Sequence, residues 1–142
     1  MPTERADDPA IRNEDELWRS VHPSQLFLDP QTKRIRPKSG AFIDRNTGEM
    51  SVDVARLTSL DAIRHRRPQH SFAKFTAGDV RTMESGYRVC SDPILPNNLE
   101  HEPPNPAHAV VCPRMKSSDA QKLATSENVW AFLNSPDSAA AS

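Results

Sequence analysis

Two short clusters of basic residues have the composition most directly suited to binding. One cluster surrounds Pro37 and the other ends just before Pro68, so both lie beside residues that interrupt helices and strands. If the two clusters share one face of the folded chain, they form a patch that attracts phosphate groups or an acidic protein surface. The contacts that we predict on this basic surface are Arg34, Arg36, Arg66 and Arg67.

Two cysteines and two histidines supply the donor types of a tetrahedral zinc site. Cys112 follows His108 by four residues, but the intervals to the other two residues match no common zinc-ligand spacing. The alternative is that both cysteines are small buried strand residues, as free cysteines usually are. We therefore predict no metal and no other cofactor, and keep a zinc-stabilised module as an alternative with the ligands Cys90, His101, His108 and Cys112.

A third set of residues indicates an enzyme. Arg19 on an early strand, Ser51 on a middle strand and a late Glu-His-Glu at 100–102 follow an order similar to that of ADP-ribosyltransferases. The resemblance implies that the arginine holds the phosphates of the cofactor and that a glutamate orients the ribose and the nucleophile. His22, at the end of a strand, and His108, at the start of a later one, are candidate general bases if the two strand ends meet in a cleft. An enzyme acting on a nucleotide or a nucleic acid, with Arg19, Ser51 and His108 at its site, is therefore a second alternative.

Short strand patterns separated by turn residues occupy most of the chain around these candidates. The patterns at 41–43 and 50–54 are predicted to form a hairpin, because Asn46 and Gly48 between them favour turn conformations. The strand patterns cover residues 17–21, 25–28, 41–43, 50–54, 71–75, 87–90 and 107–112.

Helix patterns are fewer and short. Ser59 is predicted to cap a helix that ends at Arg66, and Thr76 to cap a helix over 77–84. Ser117 or Ser118 is predicted to cap a third helix over 119–125. The strands outnumber the helices and do not alternate with them. This pattern predicts a small α+β domain with a mostly antiparallel sheet and two or three short helices.

Charge and proline divide the 142 residues unevenly. Residues 1–18 carry a net charge of −4 and residues 19–81 a net charge of +6. We predict a mobile acidic arm over 1–15, a single α+β domain over 16–133 and a disordered tail over 134–142. Within the domain, the segment 92–106 has five prolines in fifteen residues, which predicts a long loop, either a lid or poorly ordered.

Four motifs spread over most of the domain resemble a group of small bacterial proteins for which no activity is established. The shared pattern is LxRxxxP, RPxSxAF, SVD and HAxV, in that order. The resemblance implies a bacterial cytoplasmic source and no particular reaction. The matching segments begin at Leu17, Arg36, Ser51 and His108.

The composition favours binding over catalysis. The formal net charge is −1 and hydrophobic residues make up only 36%, and the chain has no glycine-rich phosphate loop, HExxH or GxSxG motif. No long apolar run and no charged-then-apolar leader is present, which predicts a cytoplasmic protein without membrane contact. We predict a non-catalytic accessory or adaptor protein that binds another bacterial cytoplasmic protein through its basic surface. A nucleic acid is the second candidate partner.

Overall fold

The computed structural model describes residues 6–44, 47–94 and 104–133, and every statement on structure below refers to these ranges. Seven strands and four α-helices are described, joined in part by short 3₁₀ turns. The strands are β1 (Glu16–Val21), β2 (Leu26–Leu28), β3 (Ile35–Pro37), β4 (Met50–Val54), β5 (Ser71–Thr76), β6 (Arg88–Ser91) and β7 (His108–Cys112). The helices are α1 (Leu60–Arg66), α2 (Ala77–Arg81), α3 (Ser117–Thr125) and α4 (Glu127–Trp130). The 3₁₀ turns are Pro23–Gln25, Ser39–Phe42 and Ala55–Leu57.

Five of the strands form one antiparallel sheet in the order β5-β1-β4-β7-β6, and β2 pairs with β3 in a separate hairpin. The predicted small α+β fold with a mostly antiparallel sheet is confirmed. The described residues contain one helix more than the two or three predicted, because α4 has only four residues and too short a pattern to be recognised.

One face of the five-stranded sheet packs into the main hydrophobic core. Leu17 of β1 lies in register between Val54 of β4 and Phe75 of β5, and all three are buried. Leu123 of α3 and Val129 of α4 belong to the same core, so these helices cover that face. The alternate residues of each strand point to the second face, because successive side chains of a strand point in opposite directions.

Local interactions begin two of the helices as predicted. The hydroxyl of Ser59 accepts from the Ala62 amide at 3.1 Å, and Thr76 forms a capping box with Asp79 at the start of α2. The predicted serine cap of α3 is wrong. This helix begins at Ser117, and Lys116 at the cap position makes no side-chain capping bond.

The strand predicted over 41–43, and the hairpin that it would form with β4, are wrong. Ser39–Phe42 is a 3₁₀ turn, and β4 pairs instead with β1 and β7. Ala41 and Phe42 are both buried in the main core, which a strand, with alternating side-chain directions, does not allow for two consecutive residues. Gly48 has the left-handed φ of 76° expected of a turn, whereas Asn46 lies outside the described residues.

Residues 6–15, part of the segment predicted as a mobile arm, pack against the domain. Ile11 is buried in the main core. The Asp8 amide donates to the Val89 carbonyl of the edge strand β6, and the Asp7 carboxylate accepts from the Val89 amide, both at 2.9 Å. The segment therefore lies against the β6 edge of the sheet. Residues 1–5 and the predicted tail over 134–142 lie outside the described residues.

The two described ends of the proline-rich segment meet. Ile94 and Asn105 form an isolated antiparallel bridge, so these two described ends lie side by side. Residues 95–103 lie outside the described ranges, and the prediction of a lid or a poorly ordered loop falls largely on them. Among the described helices, none has the length and apolar character that crossing a membrane requires.

Candidate interaction site

The β2–β3 hairpin is a small separate sheet that contacts α3 and α4. Its strands pair Leu26 with Pro37 and Leu28 with Ile35. The turn between them is held by Asp29, whose carboxylate accepts from the Gln31 amide at 2.9 Å. The hydrogen bonds from the Gln31 amide and the Arg36 side chain lower the pKa of Asp29, and their effect exceeds the opposite effect of burial.

Arg36 fastens the hairpin to the domain. Its guanidinium lies 3.0 Å from the Asp29 carboxylate and 4.4 Å from the centre of the Phe27 ring, and it donates to the Ala124 carbonyl of α3 at 3.4 Å. Only 21% of its side chain is exposed. Arg36, which the sequence predicts as a partner contact, is therefore already engaged within the fold.

Arg34 holds the other side of the hairpin and remains accessible. Its guanidinium lies 4.6 Å from the centre of the Trp130 ring and 3.6 Å from the Glu127 carboxylate, both on α4. Its side chain is 48% exposed. Because the Glu127 pair is solvent-exposed, it stabilises the fold only slightly, and the charge of Arg34 stays available to a partner.

An exposed leucine lies beside these charges. Leu28 is 61% exposed, and among the described residues only Leu57, at 44%, is a comparably exposed large hydrophobic residue. Lys33 and Arg34 are also exposed. Residues 28–34, here called the hairpin tip, thus combine an exposed leucine with two cationic side chains and the Asp29 carboxylate.

The second predicted pair of arginines lies in another layer. Arg66 ends α1 and its guanidinium lies 3.9 Å from the carboxylate of Asp53. Asp53 lies between Val52 and Val54, whose side chains enter the main core, so it points to the second face of the sheet. Arg67 follows Arg66 and is exposed. The hairpin contacts α3 and α4, whereas Arg66 contacts β4, so the internal contacts of the two clusters are with different elements.

Of the residues proposed for an enzyme, Arg19 and Ser51 meet, but through the Ser51 backbone. The Arg19 guanidinium donates to the carbonyls of Ala41 and Ser51, both at 2.9 Å. His108 lies opposite Asp53, and its Nδ1 is 2.7 Å from the Asp92 carbonyl, which makes Nδ1 the protonated nitrogen. Among the described residues no base contacts the Ser51 hydroxyl. The segment 100–102 lies outside the described ranges.

Two of the four proposed zinc ligands meet. The sulfurs of Cys90 and Cys112, diagonal neighbours on β6 and β7, lie 3.6 Å apart, and both residues are buried free cysteines. Burial and the neighbouring thiol raise the pKa of Cys90 to about 12. In the described part of the chain no three histidine, cysteine or acidic side chains form a group able to hold a metal ion. His101 lies outside it.

The sequence did not indicate the aromatic residues around α4. Trp130 lies under Arg34, while Phe132 stacks on Trp18 with ring centres 5.8 Å apart and lies 5.1 Å from the Lys74 ammonium. The uninterrupted run of five apolar residues at 129–133 was an available signal. No sequence signal indicated the exposure of Leu28, because its neighbours in the chain resemble those of a buried strand.

Comparison of the chain with family models, with curated proteins and with solved structures found no significant match.

Proposed function

We propose that the protein is a non-catalytic accessory protein that binds an acidic surface of another protein of the bacterial cytoplasm through the hairpin tip. The observation that carries the proposal is the exposure of Leu28 beside Lys33 and Arg34. Interfaces place apolar side chains at their centre and charged side chains at their rim, and Leu28 with its two cationic neighbours has this arrangement on a small scale. A partner with an apolar pocket and an acidic rim complements it.

The rigidity of the hairpin supports this function. The Arg36 contacts with Asp29 and Ala124 and the Arg34 contact with Trp130 hold the hairpin at two points. A surface that is ordered before binding loses less conformational entropy when the complex forms. The hairpin is thus a preorganised binding element.

Site-specific photo-cross-linking in the source cells tests the proposal. A photoreactive phenylalanine analogue at position 28 should give a discrete cross-linked species of higher mass. The matched control is the same analogue at position 57, because Leu57 is the other exposed leucine. No species at position 28, or the same species from both positions, would overturn the proposal.

Substitutions then separate the apolar and the electrostatic contributions. With the captured partner, Leu28→Ser should weaken binding about tenfold, as the loss of an interface anchor does, while Leu57→Ser leaves the affinity unchanged. Lys33→Glu should slow association, most strongly at low salt. Arg36→Glu is unsuitable as a binding test, because it breaks the internal contacts with Asp29 and Ala124.

The enzyme alternative has weaker support. Arg19 contacts backbone carbonyls, the Ser51 hydroxyl has no base beside it among the described residues, and His108 is bonded to the Asp92 carbonyl. These contacts favour structural roles for Arg19 and His108.

A further inference from the structure

A cluster of hydrogen-bond donors lies where β1 ends and β5 begins. The register pairs Val21 with Ser71, so His22 and His70 lie beside each other just past this pair. Their rings meet edge to face with centres 5.3 Å apart. The Ser20 hydroxyl lies 2.5 Å from Nδ1 of His70. None of these contacts belongs to the hairpin tip.

Both imidazoles can direct a donor outward. Nδ1 of His22 accepts from the Ser24 amide at 3.1 Å, so the neutral ring has its proton on Nε2. Burial, followed by the charges of Arg67, His22 and Arg19, lowers the pKa of His70 and keeps this ring neutral at pH 7. The Ser20 hydroxyl and Nδ1 of His70 share one hydrogen bond, and in the tautomer in which the hydroxyl donates, the neutral ring carries its proton on Nε2.

Positive charge near the two rings exceeds the negative charge. Arg67, the residue that caps the end of α1, is exposed, and among the described residues it makes no ion pair. The His70 amide donates to the Arg67 carbonyl at 3.1 Å, so Arg67 lies beside the rings, and its charge and that of Arg19 repel each other. Asp44 is the acid that acts on Arg19. A bound anion would relieve this repulsion, and a cation would increase it.

We propose that Ser20, His22, Arg67 and His70 form a binding site for a phosphate group, either inorganic phosphate or a monoester on a small molecule. Two imidazole N–H groups and a guanidinium offer three separate directions of donation. A phosphate presents at least three acceptor oxygens and up to two negative charges, whereas a carboxylate presents two oxygens. Ser20 acts as a positioning residue that sets the orientation of the His70 ring.

Nuclear magnetic resonance of the histidine side-chain nitrogens in the full chain tests the site. Inorganic phosphate, added at pH 7 and constant ionic strength, should cause saturable shifts of the Nε2 signals of His22 and His70. The signals of His65, which is exposed on α1, should stay in place. Absence of saturable shifts, or equal shifts when potassium chloride replaces phosphate, would overturn the proposal.

A second titration distinguishes the two sources of the phosphate. Tighter binding of adenosine monophosphate than of inorganic phosphate, with no effect of adenosine, identifies a monoester as the ligand. Equal affinity for the two identifies inorganic phosphate. If neither compound binds, the site does not exist.

A matched pair of variants tests the contribution of Arg67. Arg67→Gln should weaken phosphate binding about tenfold through the loss of a charge-assisted hydrogen bond. Arg64→Gln removes the same charge three residues earlier and should change the affinity less than about twofold. Arg67 is exposed, so its variant should unfold at the wild-type temperature. Equal weakening by both variants would show general charge attraction and overturn the site.

Discussion

The guanidinium of Arg19 bridges a gap between two strands. β1 and β4 pair through Leu17 and Trp18, and beyond this point the Arg19 side chain, in place of a backbone amide, donates to the Ser51 carbonyl. Its Nε also fixes the Ala41 carbonyl of the 3₁₀ turn. A charged residue that sequence order assigns to a cofactor phosphate thus joins three segments of the fold.

Replacing Arg19 distinguishes a structural from a catalytic role. Arg19→Ala should lower the free energy of unfolding by about 2 kcal/mol, because two carbonyls lose a charged donor. Arg19→Lys should recover less than half of this loss, since one ammonium does not reach both carbonyls in the same geometry. Urea titration followed by circular dichroism measures both. Stability within about 0.5 kcal/mol of the wild type for Arg19→Ala would contradict the structural role.

A buried polar network joins the start of β6 to the start of α3. The Tyr87 hydroxyl donates to the Asp119 carboxylate at 2.6 Å and accepts from the Lys116 amide at 2.9 Å. Ser85 donates to the same carboxylate at 3.0 Å. Hydrogen bonding from Tyr87 outweighs burial and lowers the pKa of Asp119. This network satisfies an amide at the helix N-terminus, where Lys116 provides no side-chain cap.

Removing the Tyr87 hydroxyl should destabilise α3 in a pH-dependent manner. Tyr87→Phe should cost about 2 kcal/mol at pH 7, because a charged acceptor and a helix amide lose their partner. The folded-state pKa of Asp119 is below the value of 3.8 for an unperturbed aspartate, so its stabilising effect is present above about pH 4 and is lost as the pH falls. The difference in free energy of unfolding between Tyr87→Phe and the wild type should therefore be smaller at pH 3 than at pH 7.

Urea unfolding at pH 7 and at pH 3 measures this difference. Ser85→Ala, which removes one hydrogen bond to the same carboxylate, is the control. It should lower the free energy of unfolding less than Tyr87→Phe does. A difference between Tyr87→Phe and the wild type that is the same at both pH values would refute the assigned role of Asp119.

The N-terminal segment makes buried contacts with the rest of the described molecule. Besides Ile11 in the core, Asp15 is buried and accepts from the Arg12 amide at 2.7 Å and from the Arg56 side chain at 3.2 Å. Burial alone would raise the pKa of Asp15, but these bonds outweigh it and lower the pKa. The segment also contacts α2, whose Gly78 amide donates to the Asn13 carbonyl at 2.9 Å.

Truncation of the Ile11 side chain tests whether this segment is part of the folded domain. Ile11→Ala should cost about 3 kcal/mol, the usual effect of a large-to-small change in a core. Leu57→Ala, at an exposed leucine, should change the stability by less than about 0.5 kcal/mol. Thermal unfolding followed by calorimetry compares the two. If Ile11→Ala and Leu57→Ala both change the stability only slightly and by the same amount, the segment is a mobile arm.

Local sequence signals predicted the elements whose determinants lie within a few residues. Ser59 and Thr76 begin helices by bonding amides in their own first turn, and alternating apolar residues located β1, β4, β5 and β7 within about one residue, as expected for period-two patterns. The class of fold followed from these elements alone. The proposed surfaces did not follow, since the exposure of Leu28 and the meeting of His22 with His70 depend on how distant segments pack.

The sequence by itself therefore determined the α+β class, the strands that enter the core, two helix starts and a surplus of basic residues in the middle of the chain. The tertiary structure alone decided that β4 pairs with β1 and β7, that Arg36 and Arg66 are engaged internally, and that Ile11 is a core residue. The physical reason is the range of the interactions. Caps and alternation act between neighbours in the chain, whereas strand order, ion pairing and burial depend on contacts between residues tens of positions apart, which local patterns do not specify.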